Sequence, residues 1–284
     1  ALKVGFKPVD DILLTDSAIA IQIPYEVQDA PIPCLTSSTA QDAGWIWDIS
    51  LQDRRGTGHV YSSAHMSEDE AEATLRSYLG QRGKDLDARS LKMNIGYRER
   101  FWHRNCVAIG LSAAFVEPLE ASAIFLVEAA ANMLAEMLPE DRASMRYVRD
   151  TFNESFRFRW QKTIDFIKLH YVLSERQSAF WLDNRQPETI PETLAEQLSY
   201  WQSHGVSKYQ FASAFEPFPQ ESYQYVLYGM RERLMNRGMS MLPRVDEARA
   251  RFHQVEKITE AVVRELIPHR ELINKVIRYG IPKV

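Results

Sequence analysis

The sequence predicts an α+β fold, from a change of pattern along the chain and a composition that can fill a core. Before Gly110, apolar residues come in short runs broken by polar turns, many with the two-residue period of strands. From Glu140 onward they recur every three or four residues, the period of helices. With 45% hydrophobic and 11% aromatic residues in 284 positions, the chain has the composition of a globular protein and not of a disordered or fibrous one.

Taken in order, residues 18–23, 44–49 and 58–63 each read as a strand, the second carrying Trp45, Ile46 and Trp47 and the third His59, Val60 and Tyr61. Ser67-Glu68-Asp69-Glu70 is a capping box, in which a hydroxyl and a carboxylate cover the free N–H groups of a helix start. Ala71, Leu75, Tyr78 and Leu79 then share a face, and Gly80 suits the stop. Leu91, Met93, Ile95 and Tyr97 alternate with Lys92, Asn94, Gly96 and Arg98, which predicts one half-buried strand, and 106–109 reads as a short buried one.

Residues 121–138 are apolar on most sides and predict a deeply buried helix. Val148, Phe152, Phe156, Trp160, Ile164, Ile167 and Tyr171 form the stripe of a long helix, and its aromatic members read as core. Shorter helices are predicted over 191–203, 222–236 and 245–266, divided by proline and glycine. No internal repeat is visible.

Charge and cysteine content exclude several functions. Lys and Arg number 34 against 38 Asp and Glu, a net charge of -4, so no basic field exists to hold nucleic acid or an anionic membrane. The most apolar stretch, 121–135, is interrupted by Glu128 and Asn132 and falls short of the ~18 apolar residues of a membrane span. No signal peptide is visible. Two cysteines, Cys34 and Cys106, make no disulfide framework and point to a reducing, cytoplasmic setting. The seven histidines include no pair at helical i, i+4 spacing, so no metal is expected. Gly56-Thr57-Gly58 starts like a dinucleotide fingerprint, but Tyr61 stands where the last glycine belongs, so a turn is the better reading.

The strongest local feature is the segment 110–122, Gly-Leu-Ser-Ala-Ala-Phe-Val-Glu-Pro-Leu-Glu-Ala-Ser. Small residues let backbone approach a ligand closely, and the free N–H groups of the helix that follows favour an anion. Glu117 and Glu120 flank Pro118. If the loop is enclosed, at least one of them is desolvated or hydrogen-bonded, as suits a general base or a polarising group. The alternative is that both complement the positive end of the helix.

Three ordered motifs carry a resemblance: Gly44-Trp45-Ile46-Trp47-Asp48-Ile49, then Arg55-Gly56-Thr57-Gly58-His59-Val60-Tyr61-Ser62-Ser63, then 105–123. From about Asp16 to about Trp181, and more faintly beyond, the chain resembles flavin-dependent halogenases of the tryptophan halogenase family. The resemblance implies part of a flavin-monooxygenase-like (FAD-binding) fold with a largely helical C-terminal module. Its implied parts are a β-rich substrate-module segment (1–83), the C-terminal part of the FAD domain (84–159) and a helical substrate-covering module (160–284). It also implies that reduced FAD, oxygen and chloride or bromide together generate a hypohalous oxidant, which the protein directs to an electron-rich, indole-like arene. A small aromatic substrate, a separate flavin reductase and a homodimer are the implied partners.

By the same comparison, Glu120 matches the active-site glutamate, and the backbone N–H groups of Ser122 and Ala123 match the halide site. Trp45 and Trp47 match the paired tryptophans near the flavin, along which Gly110, Leu111, Ser112, Phe115 and Pro118 would run. Their i, i+2 spacing puts the two tryptophans on one face of a strand, as a shared role or a packing pair requires. The chain departs from the family pattern at Ser50, where proline is usual, and at Ala121, where serine is usual.

The Gly-x-Gly-x-x-Gly element and the motif bearing the catalytic lysine do not occur, so the chain reads as the C-terminal half to two-thirds of a halogenase. The clamp for free tryptophan is replaced by Ser213, Pro217 and Phe218. A substrate other than free tryptophan is expected; Phe218 and Tyr223, with Tyr225, are either rings that stack on it or core aromatics at a helix start. The alternatives are a flavin monooxygenase that does not halogenate, and a non-catalytic binding module.

Overall fold

The computed structural model describes residues 3–211, 213–230 and 244–281. Its first half is built on strands. β1 (Phe6–Pro8) belongs to a small sheet, whereas β2 (Ser17–Pro24), β3 (Thr36–Gln41), β4 (Gly44–Ser50), β5 (Arg54–Tyr61) and β6 (Ala88–Lys92) form an antiparallel sheet in the order β3-β4-β5-β2-β6. In β4 the side chains divide as strand geometry requires. Trp45 and Trp47 face the main core, while Ile46 faces a second cluster with Ile19, Ile21 and Ile23 beneath helix α1 (Glu68–Leu79).

Two glycines make that sheet possible. A Cβ on Gly58 would overlap the Trp47 ring, directly across the β4–β5 pair, and one on Gly44, at φ +155, would overlap the Val60 carbonyl. The capping box forms as read: the Ser67 hydroxyl accepts from the Glu70 N–H and the Glu70 carboxylate accepts from the Ser67 N–H.

β7 (Gly96–Arg98) joins β1 and β10 (Ala114–Phe115) in the order β1-β7-β10, and β8 (Trp102–His103) pairs with β9 (Cys106–Val107). α2 (Ser122–Met137) and α3 (Met145–Leu173) follow, then α4 (Ala179–Asp183), α5 (Glu192–Trp201), α6 (Gln220–Met230), α7 (Val245–Glu265) and α8 (His269–Tyr279). The stripe from Val148 to Tyr171 is buried in the main core with Trp45, Val60 and Trp181. A second face of α3, with Phe166, Leu169 and Leu173, packs against Leu194, Trp201, Tyr223 and Leu227 in a separate helical core. Cross-ties lock the two halves. The Trp181 Nε1–H donates to the Gln41 carbonyl (2.7 Å), and buried Asn153 accepts from the N–H groups of Phe101 and Trp102 (both 2.8 Å).

Several expectations are corrected. The single strand over 91–98 is two, because β6 pairs with β2 in the large sheet and β7 with β1 in the small one. The run 106–109 yields only the two-residue β9, with Cys106 exposed, because it closes a tight hairpin at the surface. α2 is not deeply buried: only Ser122, Leu126 and Ala130 are enclosed, and Ile124 is 81% exposed. Its periodicity registered apolar faces, and within this chain only one of them is covered. Residues 159 and 160 both lie within the continuous helix α3, and the main core it joins draws on residues from 1–83, 84–159 and 160–284. The helix expected over 222–236 is α6 as far as Met230, and the remainder lies outside the described residues. α4 and α8, both short, and the polar strand β3 were not read from the sequence.

Candidate active site

The site begins with a buried acid. Glu117, at 1% exposure, accepts hydrogen bonds at one oxygen, Oε2, from the Trp45 Nε1–H (2.8 Å) and the Tyr171 hydroxyl (2.5 Å). Its other oxygen, Oε1, is buried without a partner. Burial pushes the Glu117 carboxyl above its ordinary range, against the two hydrogen bonds, and burial beside this acid pushes the Tyr171 phenol up as well. Behind them lies Lys168, fully enclosed, its ammonium donating to the Ile12 carbonyl and the Asn184 Oδ1 (both 2.9 Å). Burial lowers its pKa to about 7, with the Glu117 charge opposing.

Three residues after Glu117 the backbone does something costly. Glu120 and Ala121 both lie in the left-handed region, at φ 67 and φ 49, which costs a non-glycine residue about 1–3 kcal/mol each. The double turn ends the Pro118 loop and starts α2 at Ser122. It also sets Glu120 Oε1 3.0 Å from His170 Nε2. His170 Nδ1 faces the Phe166 carbonyl at 2.9 Å, which fixes the ring with Nε2 turned to Glu120.

Glu117, Glu120 and His170 share one cavity of about 850 Å³, lined also by Trp45, Trp47, the loop between the two acids, the first residues of α2 and Trp160. The two indoles meet edge to face, 6.4 Å between ring centres. Gly110, Leu111, Phe115, Pro118, Glu120, Ser122 and Ala123 all line it, as do Trp45 and Trp47. The first N–H groups of α2, those of Ser122 and Ala123 included, have no carbonyl within the helix to bond, so this wall is suited to an anion.

Not every expected residue is there. Ser112 is absent from the cavity wall: its hydroxyl closes a turn by donating to the Ile109 carbonyl (2.8 Å) and accepting from the Ile109 N–H (3.1 Å). Phe218 and Tyr223 meet a packed core instead of the cavity. Phe218 lies 4.1 Å from Phe166, and Tyr223 is fully buried among Phe166, Trp201 and Phe211. Conversely, His170 lines the cavity, and Tyr171 and Lys168 stand buried behind Glu117, without having been singled out for the site. Among the described residues no cluster of three His, Cys, Asp or Glu could hold a metal.

Comparison with known proteins decides the family. The tryptophan halogenase family model matches residues 1–243. The chain belongs to the tryptophan halogenase family. It is 35% identical over 229 residues to tryptophan 6-halogenase SttH of Streptomyces toxytricini, covering 81% of this chain and 44% of that protein. The crystal structure of a tryptophan halogenase from Shewanella frigidimarina superposes with a TM-score of 0.93 at 41% identity, over 100% of this chain and 55% of that one. BrvH, a flavin-dependent halogenase from Brevundimonas, superposes with a TM-score of 0.81 at 32% identity, over 97% and 55%.

This halogenase-family chain thus spans about half the length of the relatives it matches. Its cavity suits the ring system of a flavin. The walls are largely apolar side chains, the polar side chains among them include Glu117, Glu120 and His170, and Gly110, at φ 60, keeps the loop slim where it passes.

Proposed function

We propose that the cavity seats the flavin ring of reduced FAD and that the protein halogenates an electron-rich, indole-like arene other than free tryptophan, with oxygen and chloride or bromide. When bound, reduced FAD supplies the two electrons that let oxygen oxidise the halide. The reading rests on one observation: the indoles of Trp45 and Trp47, the Glu120 carboxylate and the start of α2 border a single cavity in a halogenase-family chain.

Each residue then has a defined task. Trp45, Trp47 and the 110–118 loop exclude water from the ring. The N–H groups of Ser122 and Ala123 hold the halide. Glu120 accepts a hydrogen bond from the halogenating species and orients it toward the arene, and His170 holds Glu120 in place through its Nε2 contact. Backbone amides serve the anion whatever the side chain, which accommodates Ala121 where the family usually has serine. A separate flavin reductase supplies reduced FAD, in the reducing setting of the cytoplasm.

The test is a product assay with reduced FAD, oxygen, bromide and indole, using the chain together with the remaining portion its relatives carry. Mass spectrometry is expected to find bromoindole, and Glu120→Gln to lower its rate about a hundredfold or more while the protein folds normally. Hydroxylated indole without bromide incorporation, or full turnover by Glu120→Gln, would overturn the reading.

A further inference from the structure

Arg159 is a cation that no acid answers. Its guanidinium lies 5.4 Å from the ring centre of Phe215, 5.8 Å from Phe125 and 5.9 Å from Phe156. Its Nε–H is buried without a hydrogen-bond partner, and among the described residues no carboxylate reaches it. Burial alone lowers its pKa, with no opposing charge. The nearest acid in sequence on the facing loop, Glu216, interacts with Lys162 and Asp165 instead.

The surroundings are built and accessible. The Ser213 hydroxyl accepts from the Phe215 N–H at 3.1 Å, and the Ser213 carbonyl from the Glu216 N–H at 3.1 Å, a turn that holds Phe215 over Arg159. Phe215 and Phe125 nevertheless stay 37% and 43% exposed, so the two rings beside the cation reach the surface. Phe125 lies in the first turn of α2, three residues or about 4.5 Å along the axis from Ser122. The positive end of α2 and the guanidinium therefore reinforce each other, and both call for an anion beside a flat apolar ring.

We propose that Arg159, between Phe125 and Phe215, binds the carboxylate of an aromatic substrate and holds its ring toward Glu120. The substrate class is then an arene with an acidic side chain. This inference rests on the halogenase reading above for the fate of the arene, but not for its binding.

The test compares indole-3-acetate with its neutral isostere indole-3-acetamide, titrated by calorimetry into the 284-residue chain at constant ionic strength. The acetate is expected to bind at least about tenfold more tightly. Arg159→Gln is expected to erase the preference and leave the acetamide affinity unchanged, and Arg159→Lys, a charge without the fork, to keep part of it. In the unaltered protein the Arg159 Nε–H resonance is expected to shift with acetate and not with acetamide, a readout independent of whether a variant folds. Equal or absent binding of the two probes, a preference that survives Arg159→Gln, or an unmoved resonance would overturn the proposal. Failure of the full-length protein to halogenate would sink the reaction reading and leave this ratio standing.

Discussion

At the scale of single residues, the two acids of the loop divide their duties by environment. Glu117 is the desolvated one, enclosed and fed by Trp45 and Tyr171, whereas Glu120 has a side chain 35% exposed and meets His170. Glu117 therefore ties the paired-tryptophan strand to the turn that aims Glu120. Replacing it with alanine leaves an indole N–H and a phenol unsatisfied, and thermal unfolding is expected to show a loss of about 1–3 kcal/mol. Because the folded state raises its pKa, Glu117 favours folding at low pH and loses that contribution as pH rises above 4.5, its ordinary value. Glu117→Gln keeps an acceptor for both donors, so its stability is expected to fall less over that range than that of the unaltered protein. A stability-pH curve of unchanged slope would contradict this. The position of Glu120 was legible, since an acid at the end of a small-residue loop before an apolar helix is a local signal. Its partner was not. His170 lies off the stripe that marked the long helix, and a contact between positions 120 and 170 leaves no trace in local pattern.

Elements show where sequence patterning works and where it stops. α1 was readable because its start, its apolar face and its glycine stop are all written within the helix itself. β3, with the sequence Thr-Ser-Ser-Thr-Ala-Gln, has no apolar alternation, since it is an edge strand defined by its pairing with β4. Residues 91–98 alternate throughout, yet the chain passes from one sheet to another between Lys92 and Gly96, a break that alternation cannot encode. The β4–β5 pair depends on Gly58 to seat the Trp47 ring. Gly58→Ala is expected to displace that ring at a cost of about 1–3 kcal/mol, with tryptophan emission shifted to the red. Emission and melting temperature equal to those of the unaltered protein would show that the ring has another place to go.

For the whole molecule, the α+β class and the long helix were legible, but the union of distant segments in the main core was not, because Val60, Trp160 and Trp181 come together only in three dimensions. That union encloses Lys168, whose pKa of about 7 against an ordinary 10.5 makes the folded state reluctant to hold its charge. Global stability is therefore expected to gain from Lys168 as pH rises from about 7 towards 10.5, and Lys168→Met to remove that gain in denaturant titrations. The same packing leaves one side of α2 and the cavity open, where Leu111 and Ile124 are about four-fifths exposed. Halogenation at this site requires that the cavity take an anion at the start of α2. Crystals of the chain soaked in bromide answer this through anomalous scattering. Density is expected against the N–H groups of Ser122 and Ala123, beside Glu120; bromide found elsewhere, with those two amides bare, would contradict it.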